Sequence, residues 1–176
     1  MNSFESFSKE LISIAKDIKL IALDVDGVLT DGSLYMDNNG NVELSFNVKD
    51  GYGIVSLREK HGIETIIISG RSSNALKHRI AELNISRFWV NQSSKLEAIN
   101  IIIQEDVIKP NQILYVGDDI PDLEVIEDVG LFVAVQDAHE IVKEKAHWIT
   151  NASGGQGAVR EVCDLVRYSI ENNVYD

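Results

Sequence analysis

Cysteine is nearly absent. Cys163 is the only one in 176 residues, so no disulfide can close within the chain. That usage fits a reducing compartment. Positive charge is scarce as well: 16 Lys and Arg stand against 28 Asp and Glu, for a net charge of -12. This balance argues against capture of nucleic acid or an anionic membrane by bulk electrostatics. An anionic small molecule would need a local basic cluster or a metal. Long apolar runs are missing, and none approaches the roughly 20 residues that span a bilayer. The opening MNSFESFSKE lacks the basic start and apolar core of a secretion signal. Repeats, low-complexity segments and linkers are also missing, so residues 1–176 are expected to form a single domain with one core.

The most informative stretch is Leu20–Gly32, LIALDVDGVLTDG. Four apolar residues run into Asp24 and Asp26, and a glycine follows. This reads as a buried strand ending at a turn. Alternation along an extended chain points both carboxylates the same way. Two such carboxylates repel unless one is protonated or a cation lies between them, and oxygen ligands suit Mg²⁺. A solvated Asp-Gly turn is the plain alternative.

Around this strand the pattern predicts alternating elements. Phe4, Phe7, Leu11, Ile14 and Ile18 have helical spacing. Asn39-Gly40 between extended runs at Ser33–Met36 and Val42–Val48 predicts a β-hairpin. Helices are expected from Ile54 to Gly62, after a Ser72 cap, after Ser93 or Ser94, around Leu123, over Ala138–Lys145, and from Val159 onward. Strands are expected at Ile63–Ile68, Arg87–Val90, Ile113–Val116 and Leu131–Val135, and a short apolar run follows at Trp148–Ile149. The predicted fold class is α/β: a Rossmann-like three-layer sandwich with a parallel sheet, a β-hairpin after the first strand, and no cap domain.

Ligands of open α/β sheets bind outside the carboxyl ends of the strands. That edge receives Asp24 and Asp26, then Ser69, Gly70 and Arg71, then Ser93, Ser94 and Lys95, then Asp118 and Asp119. Each has a dull reading as a turn, cap or solvated residue; together they suit phosphoryl transfer. Carboxylates from two strands can hold one Mg²⁺, while a lysine and a hydroxyl neutralise phosphoryl oxygens. One carboxylate can attack phosphorus and another can move protons.

DVDGVLT, the strand-end serine, the later lysine and GDDxxD, in that order, resemble the four motifs of the haloacid dehalogenase-like phosphatases. The resemblance implies Asp24 as nucleophile and Asp26 as general acid/base, with Ser69 and Lys95 holding the phosphoryl group. It implies Mg²⁺ on Asp24, the Asp26 carbonyl and Asp118, with Asp119 and Asp122 in support. FNVKDGYGI, SGR, SSKLEA, YVGDDIPD and GGQGAVREVCD further resemble the branch acting on 3-deoxy-D-manno-octulosonate 8-phosphate. That branch is cap-less, tetrameric and cytoplasmic, and serves lipopolysaccharide synthesis. The likeness implies a sugar acid phosphate as substrate, met by Asp26, Asn47, Val48, Lys49, Asp50, Gly51, Arg71, Arg79 and Lys95. It implies a homotetramer that binds neither nucleic acid nor membrane. Lys49 stands where that branch often has arginine, which keeps the charge but loses the planar fork. Two other readings are a nine-carbon sugar acid 9-phosphate phosphatase and a receiver-type signalling domain phosphorylated on aspartate. Arg71 stands where the nine-carbon enzymes carry glutamate, and Asp26 has no counterpart in a receiver.

Overall fold

The computed structural model describes residues 7–172. In chain order the elements are α1 (Lys9–Ala15), β1 (Leu20–Leu23), β2 (Tyr35–Met36), β3 (Val42–Glu43), α2 (Val48–His61), β4 (Glu64–Ser69) and α3 (Asn74–Glu82). Then follow β5 (Phe88–Val90), α4 (Lys95–Asp106), β6 (Ile113–Gly117), β7 (Leu131–Ala134), α5 (Glu140–Lys145), β8 (Trp148–Ile149) and α6 (Ala158–Asn172). Six strands form one sheet in the order β5-β4-β1-β6-β7-β8, and every pairing is parallel. β1 is central and buried at every position, as its unbroken apolar run requires.

The path moves from β1 outward to β4 and β5, then returns across β1 to β6. Right-handed crossovers put α2 and α3 on one face and α4 on the other. The packing agrees: α6 touches both α1 and α2, while α4 packs on the 3₁₀ segment Ile120–Asp128. The reversal of direction between β1 and β6 opens a crevice at their carboxyl ends.

Several sequence expectations need correction. The extended run to Val48 stops at Glu43, because Asn47 caps α2 by accepting the Lys49 amide at 2.8 Å. α2 therefore begins before Ile54 and contains Gly51 and Gly53, whose missing side chains make room for Arg79 and Cys163. Ser73, not Ser72, caps α3, and Ser94 caps α4. The stretch carrying Leu123 is 3₁₀ rather than α. Of the N-terminal apolar set, Leu11 and Ile18 are buried and Ile14 is exposed. Phe7 packs edge-on against Trp148, and Phe4 lies outside the described residues.

One close approach ties the last loop to the first. A Cβ on Gly154 would stand 1.7 Å from the Gly27 carbonyl oxygen and 3.1 Å from that of Thr30. Gly154→Ala must therefore push backbone apart, and overpacking of this kind costs up to about 3 kcal/mol. Urea denaturation is expected to show a loss of that size; a loss within experimental scatter would show that the two loops can separate freely.

Candidate active site

The crevice is built from β1 outward. The Asp24 amide donates to the Val116 carbonyl at 3.1 Å, so the chain stays extended one residue past β1. Val25 turns into the core at 1% exposure, and Asp24 and Asp26 both line the crevice. The chain then coils tightly. Thr30 Oγ1 accepts the Gly27 and Gly32 amides at 3.3 and 3.2 Å and donates to the Val25 carbonyl at 3.3 Å. Gly27 has a φ of +87°, and a Cβ there would lie 2.1 Å from Asp118 Oδ2. Only glycine lets this loop sit against that carboxylate.

The crevice has a volume of about 360 Å³ and is lined by Asp24, Asp26, Arg71, Lys95, Asp118 and Asp119, among others. Lys95, the first residue of α4, brings Nζ to 3.2 Å from Asp24 Oδ1 and also binds Asp122 Oδ1. Tyr115 donates to that same Asp122 oxygen at 2.7 Å. Asp122 Oδ2 accepts the amides of Asp118 and Asp119 at 2.9 and 3.1 Å. Ser69 is 1% exposed at the end of β4, and its Oγ accepts the Arg71 amide at 3.1 Å. Arg71 Nε lies 3.8 Å from Asp26 Oδ2 at the solvent side.

Oxygens of Asp24, Asp118 and Asp122 lie within 4.8 Å of one another, close enough to hold one cation. Asp122 already accepts four hydrogen bonds, as many as a carboxylate ordinarily takes. Asp24 and Asp118 therefore keep the free lone pairs, and Asp122 orients its neighbours. The electrostatics favour a cation among these carboxylates. Burial, then the nearness of Asp122, lifts Asp24 to about 7 even with Lys95 beside it. Burial, Asp122 and Asp24 lift Asp118 to about 8. Burial alone would lower the Lys95 pKa, but Asp122 and Asp24 outweigh it and the ammonium is held above its ordinary value.

The second group of expected residues does not line this crevice. Asn47 caps α2 and donates to the Gly155 carbonyl at 3.3 Å. Val48 and Lys49 are exposed on the first turn of α2. Asp50 is buried and accepts the Arg160 amide at 2.7 Å. Gly51 makes room for Arg79. Arg79 is bound to Glu82 at 2.9 Å and to the Asn47 carbonyl at 3.1 Å, with Phe46 beneath its guanidinium. Within one chain it is a packing residue, apart from the crevice that Arg71 lines. Sequence reasoning also passed over Tyr115, Thr30 and Glu124. A phenol in an otherwise apolar strand was the available signal for the first, since a buried Tyr hydroxyl seeks a partner.

Residues 88–162 match the haloacid dehalogenase-like hydrolase family. The 3-deoxy-D-manno-octulosonate 8-phosphate phosphatase of Escherichia coli is 46% identical over 159 residues, 90% of this chain and 84% of that protein. The chain belongs to the haloacid dehalogenase-like hydrolases. A crystal structure of 3-deoxy-D-manno-octulosonate 8-phosphate phosphatase from Yersinia pestis superposes with a TM-score of 0.91 at 41% identity, covering 96% of this chain and 91% of that one. The Moraxella catarrhalis phosphatase of the same name, in complex with magnesium ion, phosphate ion and a KDO molecule, gives 0.89 at 36% identity, covering 96% and 98%.

The raised carboxyls set a pH dependence. Asp24 and Asp118 bind protons more tightly folded than at the ordinary value of 3.8. The folded state therefore holds more protons above about pH 4, and stability falls as pH rises through about 7 to 8. In chelator, the thermal midpoint is expected to drop between about pH 5 and pH 8. Mg²⁺, which binds the ionised form, should restore it most at the higher pH. A chelated protein equally stable at both values would contradict the clustering of charge.

Proposed function

We propose that this chain is a Mg²⁺-dependent phosphatase that hydrolyses 3-deoxy-D-manno-octulosonate 8-phosphate to the free sugar acid and phosphate, in lipopolysaccharide precursor synthesis. The observation that carries the reading is the meeting of Asp24, Lys95 and Asp118 in one crevice, with Asp26 beside them. Its support from relatives is the 46% identity to the Escherichia coli phosphatase.

In this reading Asp24 attacks phosphorus, and the bond to the sugar oxygen breaks as the aspartyl-phosphate forms. Asp26 gives its proton to that leaving oxygen and later takes one from the water that hydrolyses the intermediate. Its half-exposed position suits exchange with solvent. Ser69 and Lys95 hold phosphoryl oxygens, and the protonated state of Lys95 is secured by its two carboxylate neighbours. Asp24, Asp118 and the Asp26 carbonyl would hold Mg²⁺, which when bound neutralises charge where two anions must approach. An acid/base next to the nucleophile favours turnover over a lasting phosphoprotein.

The oligomer belongs to the same proposal. The crevice is open, and β2–β3 with its flank exposes Leu34, Tyr35 and Met36 at 40%, 55% and 62%. A homotetramer in the cytoplasm, in which these hairpins associate, would cover that apolar surface and roof a neighbour's crevice. Asn47–Gly51 and Arg79 would then meet substrate only in the context of the assembly.

Phosphate release with Mg²⁺ should favour the eight-carbon sugar acid phosphate over a nine-carbon 9-phosphate; the reverse preference would reassign the substrate. Asp24→Asn should leave no measurable turnover, and activity within about tenfold of wild type, about 1.4 kcal/mol of barrier, would remove the nucleophile assignment. Sedimentation should give a tetramer, and shortening the turn at Asp37–Asn41 should dissociate it while an aryl phosphate remains a substrate. A monomer fully active on the sugar phosphate would defeat the quaternary part.

A further inference from the structure

Lys95 is gripped at both ends by one short segment. Its Nζ binds Asp122, and its backbone amide donates to Glu124 Oε2 at 2.9 Å. The other oxygen of Glu124 accepts the Ser94 hydroxyl at 2.6 Å. That hydroxyl in turn accepts the Glu97 amide at 3.2 Å as the cap of α4. Gln92 closes the turn by donating to the Ser94 carbonyl at 2.8 Å, and its own amide donates to the Ser69 carbonyl at 3.1 Å. Two carboxylates two residues apart thus hold the main chain and the ammonium of a single lysine. The same Asp122 fixes the Asp118 amide.

We propose that Glu124 is a positioning residue: it fastens the first turn of α4 to the segment carrying Asp118 and Asp122, and so sets where the Lys95 ammonium meets the phosphoryl group. The inference rests on the phosphatase reading. A lysine side chain is long and freely rotating, so Asp122 alone fixes its tip only if the main chain below it is fixed too. Glu124 supplies that second anchor. The anchor is anionic and sits at a helix N-terminus, where the amides and the dipole favour negative charge. Ser94 and the first amides of α4 hold its carboxyl below the ordinary range. Simple capping would make Glu124 matter for stability alone; positioning makes it matter for turnover through Lys95.

A double-mutant cycle separates the two, with Mg²⁺ and the sugar acid phosphate as substrate. Glu124→Ala is expected to lower kcat by about tenfold, the scale of a small misplacement of a catalytic group, with KM changed less than about twofold. Glu124→Gln keeps an acceptor for the Lys95 amide and should recover part of the loss. In a Lys95→Ala background, Glu124→Ala should lower kcat no further, because the two act as one unit. Should Glu124→Ala fail to fold, Glu124→Gln carries the same comparison in both backgrounds. Equal losses in the two backgrounds, or a variant as active as wild type, would overturn the positioning role while wild-type turnover upheld the phosphatase reading. A wild-type enzyme with no turnover would overturn both.

Discussion

Three carboxylates and one ammonium share the carboxyl end of the central strands, and this imbalance of charge governs the site. Asp24, Asp118 and Asp122 can approach a common point, and Lys95 offsets one of them. Asp24 and Asp122 are buried and Asp118 is half-buried, so the repulsion is screened less than it would be at a surface. Two responses are open: bind protons or bind a cation. The upward shifts of Asp24 and Asp118 are the first response, and divalent metal binding is the second. In the proposed reaction, a site that held a proton in place of a metal would lack the negative oxygen that is to attack phosphorus. A bound metal would keep the Asp24 carboxylate ionised and so complete the nucleophile.

The fold can sustain this imbalance because the carboxylates do not stand on flexible loops. β1 and β6 are adjacent and fully buried, and their register sets Asp24 beside Gly117 and Asp118. Buried strands of this kind each contribute several apolar side chains, at about 1.5 to 3 kcal/mol apiece. Against that reserve, a few buried like charges are tolerable. Gly27 and Gly154 let three backbone segments close on the site without side chains between them. Asp122 shows how the third acid becomes structural: every lone pair is engaged, so it organises its neighbours and competes little for a cation.

Much of this was legible in the sequence because it depends on local pattern. The apolar run ending in DVDG announces a strand edge with two acids on one side, and alternation of strands and helices announces the parallel sheet. GDD after an apolar run places the second acidic cluster. What stayed hidden depends mostly on distant partners. Asn47 starts a helix inside an apparent strand because its side chain caps an amide. Arg79 looks like a free cation by composition but is bound by Glu82 and Asn47. Glu124 looks like one more solvated acid until α4 is laid against it. Glu124 and the Arg79 bond to the Asn47 carbonyl turn on contacts between segments that sequence spacing does not encode, whereas the Asn47 cap is local and is concealed by the extended pattern around it.

The acidic composition and an anionic substrate are compatible for a reason of range. The field of the whole chain is screened within about 8 Å at physiological ionic strength. Beyond that distance the net charge of -12 repels a phosphate weakly, and it discourages polyanions that would need many contacts at once. Inside the crevice the distances are shorter than the screening length, and Lys95, Arg71 and a bound divalent ion present positive charge directly to a phosphate. A small ligand that fits a crevice of about 360 Å³ meets those cations, whereas an extended polyanion meets the acidic surface around them. Selection by size and selection by charge therefore act together, and the scarcity of basic residues elsewhere sharpens the few placed here.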